Sequence, residues 1–189
     1  MKKYMRAAIC FLYSLIKFGI IKIVRFHQFK YNIMNIISPF VEFDIDKFGT
    51  LKLSYMVKVR SGSKIKVRNG GYVSIGENTS FNHNCILVSH ENIIVGKDVQ
   101  LGPNVVIYDH DHDYKLQDGM KKLLYKTSPI SIDDGTWIGA NAVILKGTHI
   151  GKNCVVAAGT ILNGGIYDDN SLIYQKKDIL VKEIIRSEN

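Results

Sequence analysis

Aliphatic residues recur every six positions at Ile132, Ile138, Ile144, Ile150, Val156 and Leu162. Four places after each of the first five stands a small residue: Thr136, Ala142, Thr148, Cys154 and Thr160. Gly139 and Gly151 directly follow an aliphatic, and Gly135, Gly147 and Gly159 come three after one. A period of six fits neither a helix, at about 3.6 residues per turn, nor an ordinary strand, at about 2. It predicts a parallel β-helix in which each hexad forms one short, flat side and three sides close a triangular coil. The aliphatic points into the prism, the small residue sits inward near the corner, and glycine or asparagine takes the tight turn. The frame extends upstream through Ile75, Phe81 and Leu87, with Thr79 and Cys85 in the small slot. After a two-residue slip it resumes at Val95, Leu101 and Ile107, with Val99 and Val105 small. All twelve aliphatic slots are apolar in a chain that is only 46% hydrophobic, so the frame is not a chance match.

The rest of the chain is organised around this column. Residues 43–166 are read as the β-helix, 1–42 as an apolar, basic and helical segment, and 167–189 as a tail. Upstream of residue 75, Val57, Val59, Ile65, Val67 and Val73 recur at alternating and eight-residue spacing, which predicts strands joined by longer turns. Between Ile107 and Ile132 the repeat is interrupted by an excursion, 108–130, that opens with Asp109-His110-Asp111-His112-Asp113. Long loops on a rigid scaffold commonly carry function, and this one is expected to wall the site. In the tail Ile179, Leu180, Ile184 and Ile185 suggest partial helix.

Charge changes the picture only at the N-terminus. Residues 1–30 carry Lys2, Lys3, Arg6, Lys17, Lys22, Arg25 and Lys30 and no acid, whereas the whole chain has a net charge of +8. The β-helix body is therefore near neutral, and no nucleic-acid partner is implied. The uncharged run Ala7–Ile16 is too short for a clear membrane span, and no small-x-small cleavage site follows it. On a helical wheel Lys2, Lys3, Arg6, Ser14 and Lys17 share one face, and Leu12, Leu15, Ile16 and Phe18 lie largely on the other. Two readings stand side by side: an amphipathic helix on an anionic membrane surface, or a helix packed on the end of the prism or on a partner subunit, which would also cover an exposed edge. The three cysteines form no CxxC, and Cys85 and Cys154 fall in small slots of the repeat, as core residues of a reducing compartment would.

The motifs Ser80-Phe81-Asn82-His83-Asn84-Cys85, Leu101-Gly102-Pro103-Asn104-Val105, the Asp109–Asp113 run, Trp137-Ile138-Gly139-Ala140-Asn141 and Ala157-Ala158-Gly159-Thr160 carry a resemblance. Over roughly residues 55–165 the chain resembles the left-handed β-helix acyltransferases, in particular the sugar O-acetyltransferases of the galactoside, maltose and capsule or exopolysaccharide type. The resemblance, not the pattern, implies left-handedness. It also implies acetyl-CoA as acyl donor without a metal, a saccharide acceptor in surface polysaccharide synthesis, a homotrimer, and a cytoplasmic enzyme, peripheral to the inner membrane face if the N-terminal helix binds lipid.

Acetyl transfer from a thioester to a hydroxyl needs a general base, donors for the oxyanion and a slot that aligns the partners. Histidine suits the base role. His110 and His112 point the same way in an extended segment, so periodicity does not choose between them. The resemblance does: His112 matches the family's catalytic histidine, and Asn82, of the N-x-N motif, matches its acceptor-binding asparagine. Asn84 and His110 are placed beside the acceptor, and Asp109, Asp111 or Asp113 could orient the imidazole. Trp137, Gly139, Ala140 and Ala158 match the groove for the pantetheine arm. The family's Thr-Lys after the last coil is Asn163-Gly164 here, so Lys176 and Lys177, or Lys152, are the candidates for the CoA phosphates. Two alternatives remain: N-acetyl transfer to an amino sugar or drug, and a γ-carbonic-anhydrase-like zinc enzyme, whose ligand spacing a His-x-His pair does not reproduce.

Overall fold

A computed structural model describes residues 2–176 of the chain. Helix α1 (Lys2–Val24) is followed from Phe29 onward by short strands that pair in parallel with strands one coil away. They form the left-handed parallel β-helix implied by the resemblance. One side of the prism stacks Phe29–Tyr31, Thr50–Leu53, Tyr72–Ile75, Asn92–Val95 and Ile130–Ile132. The second stacks Ile36–Ile37, Lys58–Val59, Ser80–Phe81, Gln100–Leu101, Trp137–Ile138, Val155–Val156 and Leu172–Ile173. The third stacks Glu42–Ile45, Lys64–Val67, Ile86–Ser89 and Val106–Tyr108. The longer strands Val143–Ile150 and Ile161–Tyr167 each run from the third side onto the first, so the sides close into six complete coils and part of a seventh.

The aliphatic slots are all inward and almost fully buried, from Ile75 to Leu162. The small slots are inward too, and their hydroxyls tie coils together. Thr79 Oγ1 donates to Gly96 O at 2.7 Å and accepts from Val99 N–H, and Thr136 Oγ1 does the same with Gly151 O at 2.9 Å and Cys154 N–H. A threonine there satisfies backbone groups that an alanine would leave buried and unpaired. The glycines divide into two kinds. Gly135, Gly147 and Gly159 have φ of 71°, 75° and 68°, the left-handed turn conformation expected of them. Gly139 is glycine for a different reason, since a Cβ would lie 2.6 Å from Ala158 N and 2.8 Å from Val156 O in the next coil.

The coil begins at Phe29, earlier than the boundary at 43 drawn from the pattern, and continues to Ile173, past 166. The reason is coil length. Ile132 pairs with Ile150, 18 residues on, but Leu53 pairs with Ile75, 22 residues on, because upstream sides carry four-residue strands. Those coils fall out of a six-residue frame while keeping the same register. The first coil also uses aromatic rings, Phe29, Tyr31 and Phe43, which pack around Phe18 of α1.

Helix α1 lies on this end of the prism with its polar edge inward. Ser14 Oγ accepts from Ile37 N–H at 2.8 Å, Lys22 Nζ donates to Phe29 O at 3.0 Å, and Arg25 Nε donates to Ile45 O at 2.8 Å. Lys17 Nζ donates to Val41 O, and burial, opposed by Glu42, lowers its pKa. Open backbone groups of the first coil are thus satisfied by side chains. The helical wheel had set Ser14 and Phe18 on different faces; both are fully buried against the coil, as i and i+4 residues must be. The excursion folds as a hairpin, His110–His112 antiparallel to Tyr125–Thr127. The tail from residue 177, with Ile179, Leu180, Ile184 and Ile185, lies outside the described residues.

Candidate active site

The predicted residues fall at two corners of the prism. At the corner between the second and third sides the coils stack residue on residue. Asn82, Gly102, Gly139 and Ala157 form a column, each N–H bonding the carbonyl of the coil above: Asn82 to Leu101, Gly102 to Ile138, Gly139 to Val156 and Ala157 to Ile173. Ala140 and Ala158 follow in that turn, half-buried and exposed respectively, so the surface there is nearly bare backbone. Trp137 stands just before it on the second side, 55% exposed, between Gln100 and Val155 of neighbouring coils. Gly139 itself is buried beneath the next turn, so its role is close coil packing, and the groove surface is made by its neighbours. Asn84 is explained by geometry: its φ of 60° repeats in Asn104 and Asn141 above it, at 59° and 58°. Asn82 has no such φ; its Oδ1 accepts from His83 N–H at 2.9 Å, and its amide nitrogen bonds nothing among the described residues. Lys176 is exposed just beyond the last strand of the second side, Lys152 lies at the other end of that side, and Lys177 is outside the described residues.

The histidines gather at the next corner, where the third side gives way to the excursion. Asp109 is wholly buried and organises it. Its carboxylate accepts from Ser89 Oγ at 2.7 Å and from the N–H groups of His90, Glu91 and Asn92 at 2.8, 2.9 and 3.0 Å, clamping the turn of the coil below. Burial alone would raise its pKa, but hydrogen bonds from His110, His90, Ser89 and Glu91 outweigh that and hold it below the ordinary carboxylate value. Asp109 also faces His110 Nδ1 at 3.1 Å. The His110 ring stacks on His90 at 3.8 Å and meets Tyr125 and Tyr108 edge-on at 5.3 and 5.6 Å. His90 is pushed down to about 4, by burial first and then by His110. His112 is placed differently. Its ring leans on Tyr125 at 4.7 Å, and its Nδ1 is buried without any hydrogen-bond partner. None of the three aspartates bonds it: Asp111 pairs with Lys146 at 2.6 Å, Asp113 with Lys126 at 3.1 Å, and Asp109 is committed to His110.

Sequence reasoning passed over Tyr125 and Lys146, and read His90 only as a surface or groove residue. His90 was findable: it precedes His110 by the same 20 residues that separate the paired Ile75 and Val95. A further pair, Ser131 and His149, is hydrogen-bonded across adjacent coils of the first side, with Asp133 Oδ2 at 3.9 Å from His149 Nε2. It borders a groove of about 250 Å³ at the foot of the excursion, beside Ser128 and Asn92. Among the described residues no three His, Cys, Asp or Glu side chains converge as a metal site would require. Cys85 is buried, and burial raises its thiol to about 11 while it donates to Gly102 O at 3.2 Å, so it is no poised nucleophile.

Comparison with known proteins bears on this arrangement. Residues 129–163 match the model described as the hexapeptide repeat of succinyl-transferase. The repeat and the fold are those of the hexapeptide-repeat acyltransferases. A Saccharomyces cerevisiae protein bearing an acetyltransferase name is 36% identical over 78 residues, 41% of this chain and 39% of its own. Nodulation protein L of Rhizobium leguminosarum bv. viciae is 34% identical over 80 residues, 41% of this chain and 40% of its own. The chain thus spans about two fifths of the length of these curated relatives. Among solved structures, AntD, an N-acyltransferase from Bacillus cereus in complex with dTDP-4-amino-4,6-dideoxyglucose and coenzyme A, has a TM-score of 0.63 at 14% identity over 89% of each chain. A hexapeptide-repeat acetyltransferase from Vibrio cholerae O1 biovar eltor, complexed with acetyl coenzyme A, has a TM-score of 0.53 at 21% identity over 88% of this chain and 79% of that one.

Proposed function

We propose that the protein is an acetyl-CoA-dependent acetyltransferase that esterifies a saccharide hydroxyl of a surface-polysaccharide precursor, with His112 as general base. The observation that carries the reading is the buried, unsatisfied Nδ1 of His112, beside a tyrosine and at the mouth of the excursion. Such an atom awaits a partner. His112 takes the proton as the acceptor oxygen attacks the thioester carbonyl, then returns it to the CoA sulfur as the tetrahedral intermediate collapses. Cys85 lacks thiolate character, which favours direct transfer without an acyl-enzyme.

The site is shared between subunits of a homotrimer. Asn82, Ala140 and Ala158 stand before the third side, and His112 after it. A four-residue strand separates the two corners by roughly 13 Å, so one chain does not bring them together. Cyclic packing of three prisms sets one subunit's asparagine corner against its neighbour's histidine corner and makes three equivalent grooves. The bare backbone of the first would take the pantetheine arm, Trp137 would flank it, and Lys176 would serve the phosphates.

A second reading, N-acyl transfer to an amino sugar, is favoured by the likeness to AntD over most of its length. Thiol release from acetyl-CoA, screened over sugars, oligosaccharides and amino sugars, separates the two. An alkali-labile acetyl ester is the expected product; an alkali-stable acetamide selects the second reading, and no acceptor-dependent release with any sugar overturns both.

A further inference from the structure

We infer that the outward face of α1 docks on an anionic lipid surface, with the helix lying in the plane of the interface. The inward edge is already occupied, since Ser14 and Phe18 are buried and Lys17, Lys22 and Arg25 donate to carbonyls of the first coil. Along the opposite edge Met5, Ile9, Leu12, Ile16, Ile20 and Ile23 are between 56 and 84% exposed. Their spacing of three and four residues makes one continuous stripe, roughly 27 Å long at 1.5 Å per residue. Beside it a groove of about 530 Å³ opens between α1 and residues 39–43, with Phe40 79% exposed at its edge. An apolar surface this long marks a place where something binds.

Charge decides what binds. Residues 1–30 hold seven basic side chains and no acid. The first acidic residue, Glu42, is paired with Lys66 at 2.8 Å and Lys64 at 3.5 Å. Lys17, Lys22 and Arg25 already donate to the first coil, which leaves Lys2, Lys3, Arg6 and Lys30. A second copy packed face to face would bring two such cationic segments together, whereas anionic headgroups complement them, at about 1 kcal/mol per basic residue near the surface. The segment Ala7–Val24 is long and apolar enough to cross a membrane. Crossing, however, would uncap the first coil and carry Lys17 into hydrocarbon, so the helix lies on the surface rather than spanning it. In a trimer all three helices would sit at one end of the assembly, but the stripe is present on each chain whatever the reaction catalysed.

The test is density-gradient flotation of the full chain with vesicles of phosphatidylcholine, alone or mixed with phosphatidylglycerol. Flotation with the mixed vesicles, weakened by salt, is expected. Leu12→Asp/Ile16→Asp, which alters only exposed positions, should lower the bound fraction at least about tenfold with thermal unfolding and oligomer size unchanged. If that variant fails to accumulate, Ile9→Gln/Ile20→Gln serves in its place. No flotation on anionic vesicles, equal flotation of the variant, or resistance of the wild type to carbonate extraction, which marks a spanning helix, would each overturn the proposal. So would a larger wild-type oligomer that the variant splits, which marks a second copy as the occupant.

Discussion

The two corners that bound the third side solve opposite problems. The asparagine corner is repetitive. Asn82, Gly102, Gly139 and Ala157 stack in register, each bonded to the coil above, and little but backbone faces outward. The histidine corner is singular. There the coil is interrupted: His90 and His110 gather at the buried carboxylate of Asp109, and Tyr125 packs against them and against His112. A repeating corner can offer a smooth channel but no reactive group, because any large side chain would break the stack. An interrupted corner can concentrate titratable groups because the excursion supplies walls that the repeat does not.

Five variants set the corners against each other. His112→Ala should lower kcat by about 10²–10⁴ and leave the KM for acetyl-CoA near wild type. His110→Ala should cost less in rate and more in stability, because its ring fills the space between His90, Tyr108 and Tyr125. The reverse ranking in steady-state assays would move the base to the Asp109-paired histidine. Asp109→Ala strands three backbone N–H donors and should cost about 3–5 kcal/mol by chemical denaturation. Its pKa is depressed in the folded state, so its stabilisation is complete above the unfolded value of about 3.9 and is lost as pH falls through the folded one; stability from this group should be flat between about pH 5 and 8.

At the repetitive corner Gly139→Ala forces a Cβ against Ala158 N and Val156 O and should cost about 1–3 kcal/mol, read as a lower midpoint, with the activity of the folded fraction largely kept. At neutral pH the smallest effect belongs to His90. Its folded pKa of about 4 lies below the unfolded value of about 6.5. The unfolded state therefore binds the extra proton between them, and stability should fall as pH drops from about 6.5 to 4. His90→Gln should flatten thermal midpoints across that window.

The downstream coils were legible because their 18-residue turns keep the six-residue frame without a slip, as Ile132 and Ile150 show. The first coils were less so. Phe29 and Phe43 occupy inward positions that no aliphatic count would mark, and they do so to receive Phe18 from α1. The Asp-His-Asp-His-Asp run announced a site, yet the inequality of its histidines did not show in it. Asp109 bonds His110 because its other contacts, to residues 89–92 one coil below, fix where it points. That contact is between coils and has no local signature. The direction of α1 was hidden for a similar reason: Ser14, Lys17 and Arg25 face inward because the first coil has open backbone groups there.

The central claim is that the two corners meet only across a subunit boundary, and subunit mixing tests it most directly. Asn82→Ala and His112→Ala proteins, each nearly inactive, are combined, dissociated and reassembled, and acetyl transfer is measured on the mixed oligomer. Sites that draw Asn82 from one chain and His112 from its neighbour should regain wild-type turnover, about a quarter of all sites under random cyclic assembly. Mixed oligomers that form and stay as inactive as either parent would contradict the shared site.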